Sequence, residues 1–259
     1  MLDFAVHLAR SAGALLAERF RSRENLDIRS KSPRNIVTQA DIDAEKLIRG
    51  LIVSTRPDDA IVGEELEARS GSGLVWHIDP LDGTTNFAFG IPHWAVSVAA
   101  VQGNEIRLGA IYDPLRDELF TASSGGGAFL NGKPLRILPR TSLAVSLLGT
   151  GFASMRGEDP ETVRCLDLFQ DVIREVQGIR RLGSAALDLA YVAAGRLDLF
   201  FEEGLSSWDM AAGALIVSEA GGVARDYDGS DGFLSSGRIV AAAPEIAAEF
   251  IDRFRPSLR

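Results

Sequence analysis

Asp79-Pro80-Leu81-Asp82-Gly83-Thr84-Thr85-Asn86 is the stretch on which both fold and chemistry turn. It follows an apolar run, Leu74-Val75-Trp76-His77-Ile78, that reads as a buried strand. Pro80 presets its own φ and biases Asp79 toward extended geometry, so the strand is expected to end on a carboxylate. Gly83 lets the backbone approach a ligand closely, and Thr84 with Thr85 can open a helix whose unpaired N–H groups favour an anion. Two carboxylates, a rigid turn and exposed amides in one segment suit a metal-dependent phosphate chemistry. The same pentapeptide is also an ordinary turn composition, and taken alone it leaves both readings open.

Further acids shift that balance. Gly63-Glu64-Glu65 follows a strand-like Ala60-Ile61-Val62, and Trp208-Asp209 opens an Ala-rich helical run that stops at Gly221-Gly222. Glu64, Asp79, Asp82 and Asp209 packed around one point would repel and raise one another's pKa values unless a cation offset them. An all-oxygen donor set without histidine or cysteine points to magnesium or manganese rather than zinc. His77 and His93 read as structural, Trp208 as core packing, and Cys165 as a packed thiol in a helical pattern.

With 259 residues, 46% of them hydrophobic and 24% charged, the chain can bury a sizeable core. No apolar run approaches a membrane span, and His7 and Arg10 fall where a signal peptide would be apolar, so a cytoplasmic protein is expected. The single cysteine excludes a disulfide framework within the chain and suits a reducing compartment. A net charge of −9 without a basic stripe argues against nucleic-acid binding. It does not argue against an anionic substrate, because bound divalent cations reverse the local field.

Along the chain, helical spacing covers Leu2 to Phe20 and the segment after Thr38. Short β-rich runs follow at Val96–Val101, Leu108–Tyr112 and Glu118–Ala122, with Asn131-Gly132 as a hairpin signal and Ser123 to Gly127 as a flexible turn. After Pro139 the pattern alternates: strand 145–149, helix 160–176, strand 179–182, helix 185–194, strand 197–201, then the Asp209 helix. An antiparallel-rich half, 1–140, thus precedes a mixed α/β half, 141–259, with no low-complexity linker to separate independent domains.

On these residues the chain resembles the inositol monophosphatase family, within the wider magnesium-dependent, lithium-sensitive phosphatase superfamily. The resemblance runs through Lys31-Ser32-Pro33, Val37 to Asp41, Gly63-Glu64-Glu65, Asp79 to Phe87, Gly183 to Ala186 and Trp208 through Gly222. At roughly 5% background per position, seven matches in the central motif alone arise about once in a billion windows. It implies a layered αβαβα sandwich with the active site where the halves meet, and a homodimer.

The resemblance also assigns roles. Glu64, Asp79 and the Leu81 carbonyl would hold one magnesium ion, and Asp79, Asp82 and Asp209 a second, with a third, weaker ion near Glu64. Thr84 and Asp41 would orient the attacking water, while the amides of Gly83 and Thr84 stabilise the phosphoryl oxygens. Asp41 also fits a helix capping box with Thr38, a compatible role. Glu202, by its spacing from Asp209, would bind substrate hydroxyls with Ser184 and Ala185 as the other wall; adjacent Glu203 leaves open which acid faces the site. Lys31 reads equally as a phosphate-side residue or a solvated lysine. The implied substrate is a small phosphate monoester with inositol 1-phosphate as the type. Thr85 favours it, because relatives acting on adenosine bisphosphates or histidinol phosphate often carry lysine there, while fructose bisphosphate is an alternative. A regulatory protein acting through a macromolecular partner on the same scaffold is the competing class, against which the four intact acids weigh.

Overall fold

Leu8, Ala9, Ala12 and Leu16 share one face of α1 (Leu2–Ser22) and are fully buried, so this helix lies flat against a sheet. The computed structural model describes residues 1–22, 27–32, 35–140, 142–152, 160–254 and 257. An antiparallel hairpin of β1 (Ile28–Ser32) and β2 (Asn35–Thr38) leads into α2 (Gln39–Thr55). Thr38 caps α2: its hydroxyl accepts from the Ala40 N–H at 3.1 Å, and Asp41 accepts from the Thr38 N–H at 2.9 Å. Pro33 and the side chain of Lys31 lie outside the described residues.

A seven-stranded sheet follows in sequence order. It comprises β3 (Ala60–Gly63), β4 (Val75–Asp82), then, after the short α3 (Thr84–Phe89), β5 (Ala95–Gln102), β6 (Glu105–Asp113), β7 (Glu118–Ser123), β8 (Gly127–Leu130) and β9 (Lys133–Pro134). β3 and β4 are parallel and every later pair is antiparallel. The strand expected to stop at Asp79 instead continues to Asp82. Asp79 pairs with Ser97 and Asp82 with Ala95, so two β4 residues oppose one on β5. Pro80 cannot donate to the ladder, and the chain absorbs it as a bulge rather than an end. The Ser123 to Gly127 turn joins β7 to β8, its amides at Gly125 and Gly127 bound by the Glu219 carboxylate at 2.7 and 2.8 Å.

The remainder builds a five-stranded sheet. Its elements are β10 (Leu147–Thr150), α4 (Pro160–Val172), β11 (Gly178–Arg180), α5 (Ala185–Ala193), β12 (Leu199–Glu203), α6 (Ser207–Glu219), β13 (Val223–Arg225), α7 (Phe233–Ser236), β14 (Arg238–Ala242) and α8 (Pro244–Phe254). The strand order is β11-β10-β12-β14-β13, parallel across the first three and antiparallel thereafter. Val145, expected to start a strand, instead closes a 3-10 turn over Leu143–Val145, and the strand begins at Leu147. α4 ends at Val172 rather than 176, β11 begins one residue and ends two residues earlier than expected, and β12 runs two residues later.

α1 and α2 cover the outer face of the large sheet through Ile48, Trp76 and Val98. α5 and α6 fill the space between the sheets, and α8 covers the outer face of the small one through Phe250 and Ile251. The layers are therefore αβαβα. Glycines set the spacing of the middle layer: a Cβ at Gly109 on β6 would lie 2.8 Å from Ala212 Cα on α6, and one at Gly213 would lie 2.5 Å from Leu189 Cβ on α5. α6 is thereby pressed onto the large sheet with its N-terminus at the open end of β4.

Candidate active site

The four acids arrive on three elements. β3 hands over to Glu64, the bulged end of β4 carries Asp79 and Asp82, and the first turn of α6 carries Asp209. All four line one cavity of about 360 Å³, together with Leu81, Gly83, Thr84, Ser184, Ala185 and Glu202. Gly83 adopts φ +98°, and a Cβ there would meet His93 O at 3.1 Å and Gly183 O at 3.2 Å, so the turn into α3 requires glycine.

Local hydrogen bonds aim each carboxylate. Asp79 Oδ1 accepts from the Leu81 N–H at 2.9 Å, and Asp209 Oδ2 accepts from the Ser206 N–H at 2.7 Å. Asp82 Oδ2 accepts from Ser184 Oγ at 2.5 Å and from the Ala186 N–H at 2.7 Å, which ties β4 to the N-terminus of α5. Beneath Glu64, the Glu45 carboxylate accepts from the Glu65 N–H at 2.7 Å and from Arg49 Nε at 2.6 Å. It occupies the space that a side chain at Gly63 would need. Glu45 therefore shapes the turn that presents Glu64.

Electrostatics record the crowding. Burial, then Glu64, Asp82 and Asp209, push the Asp79 carboxyl well above the usual carboxylate range. Burial, then Asp82 and Glu64, do the same to Asp209. Burial lifts Asp82 to about 6 against the opposing bonds from Ser184 and Ala186. Arg181 is the one cationic side chain among the described residues lining the cavity.

These features suit a divalent cation. The donors are hard oxygens, their mutual repulsion is what a cation relieves, and hydrogen bonds to Asp79 and Asp209 each engage one of the two carboxylate oxygens. Among the described residues no three His, Cys, Asp or Glu side chains already close around one point. The residues fit hard divalent ions.

Beside the acids, Thr84 Oγ1 donates to Asp41 Oδ1 at 2.8 Å and lies 3.1 Å from Leu81 O. Asp41 is fully buried, and burial raises its pKa although Thr38 and Thr84 bonds oppose the shift. β12 separates the two adjacent glutamates: Glu202 faces the cavity, whereas Glu203 pairs with Arg164 and with Arg238 Nε at 3.0 Å. His77 Nδ1 lies 2.8 Å from Ser207 Oγ, His93 stacks edgewise on Tyr191, and Cys165 Sγ lies 3.5 Å from Glu203 Oε2; none of the three lines the cavity, nor does Trp208. Sequence reasoning missed Glu45, Thr150, Arg181 and Asp188. A lone acid within Ala185–Ala193 was the available signal for Asp188.

The profile of the inositol monophosphatase family matches residues 1–258. The chain belongs to this family. It is 46% identical to Nus factor SuhB of Pseudomonas aeruginosa, over 100% of this chain and 97% of that protein. It is 44% identical to the inositol-1-monophosphatase of Rhizobium meliloti, over 99% and 98%. Among solved structures, extragenic suppressor protein suhB from Bartonella henselae superposes with a TM-score of 0.91 at 40% identity, covering 99% of this chain and 97% of that one. Membership makes the chain a phosphatase of a generally metal-dependent family acting on small phosphorylated substrates. No helix among the described residues is long and apolar enough to cross a membrane.

Proposed function

We propose that this inositol monophosphatase family member hydrolyses small phosphate monoesters, with inositol 1-phosphate as the type substrate, by attack of water on phosphorus. The convergence of Glu64, Asp79, Asp82 and Asp209 on one cavity beside the Thr84–Asp41 pair carries the conclusion. Glu64, Asp79 and the Leu81 carbonyl would hold one magnesium ion and Asp79, Asp82 and Asp209 another, with a third near Glu64 and manganese able to substitute. Such ions lower the pKa of water and neutralise charge on the phosphoryl group.

The chain's own residues orient the reactants and move the proton. Because Thr84 Oγ1 donates to Asp41, its lone pairs remain for a hydrogen of the attacking water, and Asp41 Oδ1 can take the proton that Thr84 relays. Burial makes Asp41 a stronger base than a solvated aspartate. The first N–H groups of α3, at Gly83 and Thr84, are placed to donate to phosphoryl oxygens. Ser184, Ala185 and Glu202 bound the side where the leaving alcohol would sit. We further infer a lithium-sensitive, cytoplasmic homodimer, on the family resemblance and the single cysteine. Phosphate release over inositol, sugar-bisphosphate, nucleotide and amino-alcohol esters with magnesium tests the substrate class, and kcat/KM ranks them.

A regulatory role through a macromolecular partner is the second function to consider, because the 46% and 42% identical relatives carry the name Nus factor SuhB. Asp209→Asn separates the two: it should abolish phosphate release while leaving any partner complex intact.

A further inference from the structure

Asp188 is the one charged residue in α5, whose nine residues are all buried. Its carboxylate lines the cavity, is 1% exposed, and its Oδ1 has no hydrogen-bond partner among the described residues. A buried acceptor without a donor is destabilising, so packing does not account for it. The helix dipole does not account for it either. A first-turn acid gains from the dipole at an exposed position without the cost of burial, and Ser184 already caps this helix through the Leu187 N–H.

The backbone opposite carries two glycines, Gly149 on β10 and Gly151 just past its end. A Cβ at Gly149 would lie 3.5 Å from Asp188 Cγ and 2.8 Å from Leu197 Cδ1, and one at Gly151 would overlap the Glu202 carboxylate. Both carboxylates thus lie against this one short segment. The charged groups acting on Asp188 are Glu202, Asp82 and Arg181. The χ2 torsion of aspartate is soft, so the Asp188 carboxylate can turn within its place in the cavity wall.

We propose that Asp188 is a further specificity-determining residue, accepting a hydrogen bond from a second hydroxyl of a polyol leaving group beside the hydroxyl bound by Glu202. The assignment rests on the phosphatase reading above. Paired acceptors favour alcohols carrying neighbouring hydroxyls over plain alcohols or phenols, because only the former satisfy both acids at once.

Asp188→Leu removes the acceptor at similar volume, and Asp188→Asn restores one. For Asp188→Leu, kcat/KM on inositol 1-phosphate should fall about tenfold or more, mainly through KM, with a loss several times smaller on 4-nitrophenyl phosphate. Asp188→Asn should lie between. Neither variant should melt below the parent protein, because an unpartnered buried carboxylate has been removed. Equal losses on both esters, no loss on either, or a lowered melting temperature would overturn the proposal. Free myo-inositol provides a readout without turnover: it should raise the melting temperature of the parent and not of Asp188→Leu. If the parent releases phosphate from neither ester, the phosphatase reading fails, and the inositol shift still decides on Asp188. A shift that persists in the variant, or is absent from the parent, overturns it.

Discussion

Thr84 Oγ1 lies 2.8 Å from Asp41 Oδ1, which joins the first turn of α2 to the first turn of α3 across 43 positions of sequence. The same carboxylate accepts from the Thr38 N–H at 2.9 Å through its other oxygen, so the helix cap fixes the acid that faces Thr84. Asp41→Asn preserves a cap acceptor but cannot take a proton. It should fold normally and lose about 10²-fold or more in kcat. Circular dichroism with phosphate release checks this, and near-normal kcat would reduce Asp41 to a cap.

Asp209→Asn should leave a folded, inactive protein. Burial, Asp82 and Glu64 all oppose its negative charge, so in metal-free buffer the variant should also melt at or above the parent temperature. A clear loss of thermal stability without metal would show that the Asp209 charge is needed by the fold.

Glu202 and Glu203 should separate cleanly. Glu202→Gln should cost about 1–3 kcal/mol in transition-state binding of hydroxyl-rich substrates and less on an aryl phosphate. Glu203→Gln weakens a buried acid's pairs with two partly exposed arginines and should cost about 1–3 kcal/mol in stability, with little change in selectivity. Denaturant unfolding beside kcat/KM on both esters measures the two effects, and a reversal of the pattern would mean that β12 presents the other acid.

Asp59 carries a pH-dependent part of the stability. Burial alone would raise its pKa, but bonds from Arg56, from Trp76 Nε1 at 2.9 Å and from the Leu74 N–H at 3.0 Å outweigh burial and lower it. A lowered folded pKa gives stability that is full above the unfolded value of about 4 and is lost as pH falls through the folded value. The unfolding free-energy gap between the parent and Asp59→Asn should therefore be constant from pH 7 to about 5 and shrink at lower pH. An unchanged gap at pH 3 would contradict this origin.

The cavity's acids were legible because their signals are local: Asp79 and Asp82 flank a proline three residues from a glycine turn, and Asp209 opens a helix. The layer order came from the resemblance rather than from periodicity. Glu202 and Glu203 were not separable, since a strand's alternation assigns faces only once its register is known. That register is set by pairing with β14, Glu202 opposite Ile239 and Glu203 opposite Arg238. The strands within 223–242 went unread for a similar reason. β13 spans three residues, too few for a period, and β14 is defined by partners β12 and β13. Asp188 was hidden by its neighbours, whose apolar run masks the one acid among them.

On the proposed function, the four acids serve phosphate hydrolysis through hard divalent ions. The most direct test is phosphate release from inositol 1-phosphate by protein stripped with a chelator and then titrated with magnesium. Release should be absent after chelation, return saturably with magnesium, respond poorly to calcium and fall when lithium is added. Undiminished turnover after exhaustive chelation would show that hydrolysis needs no divalent ion.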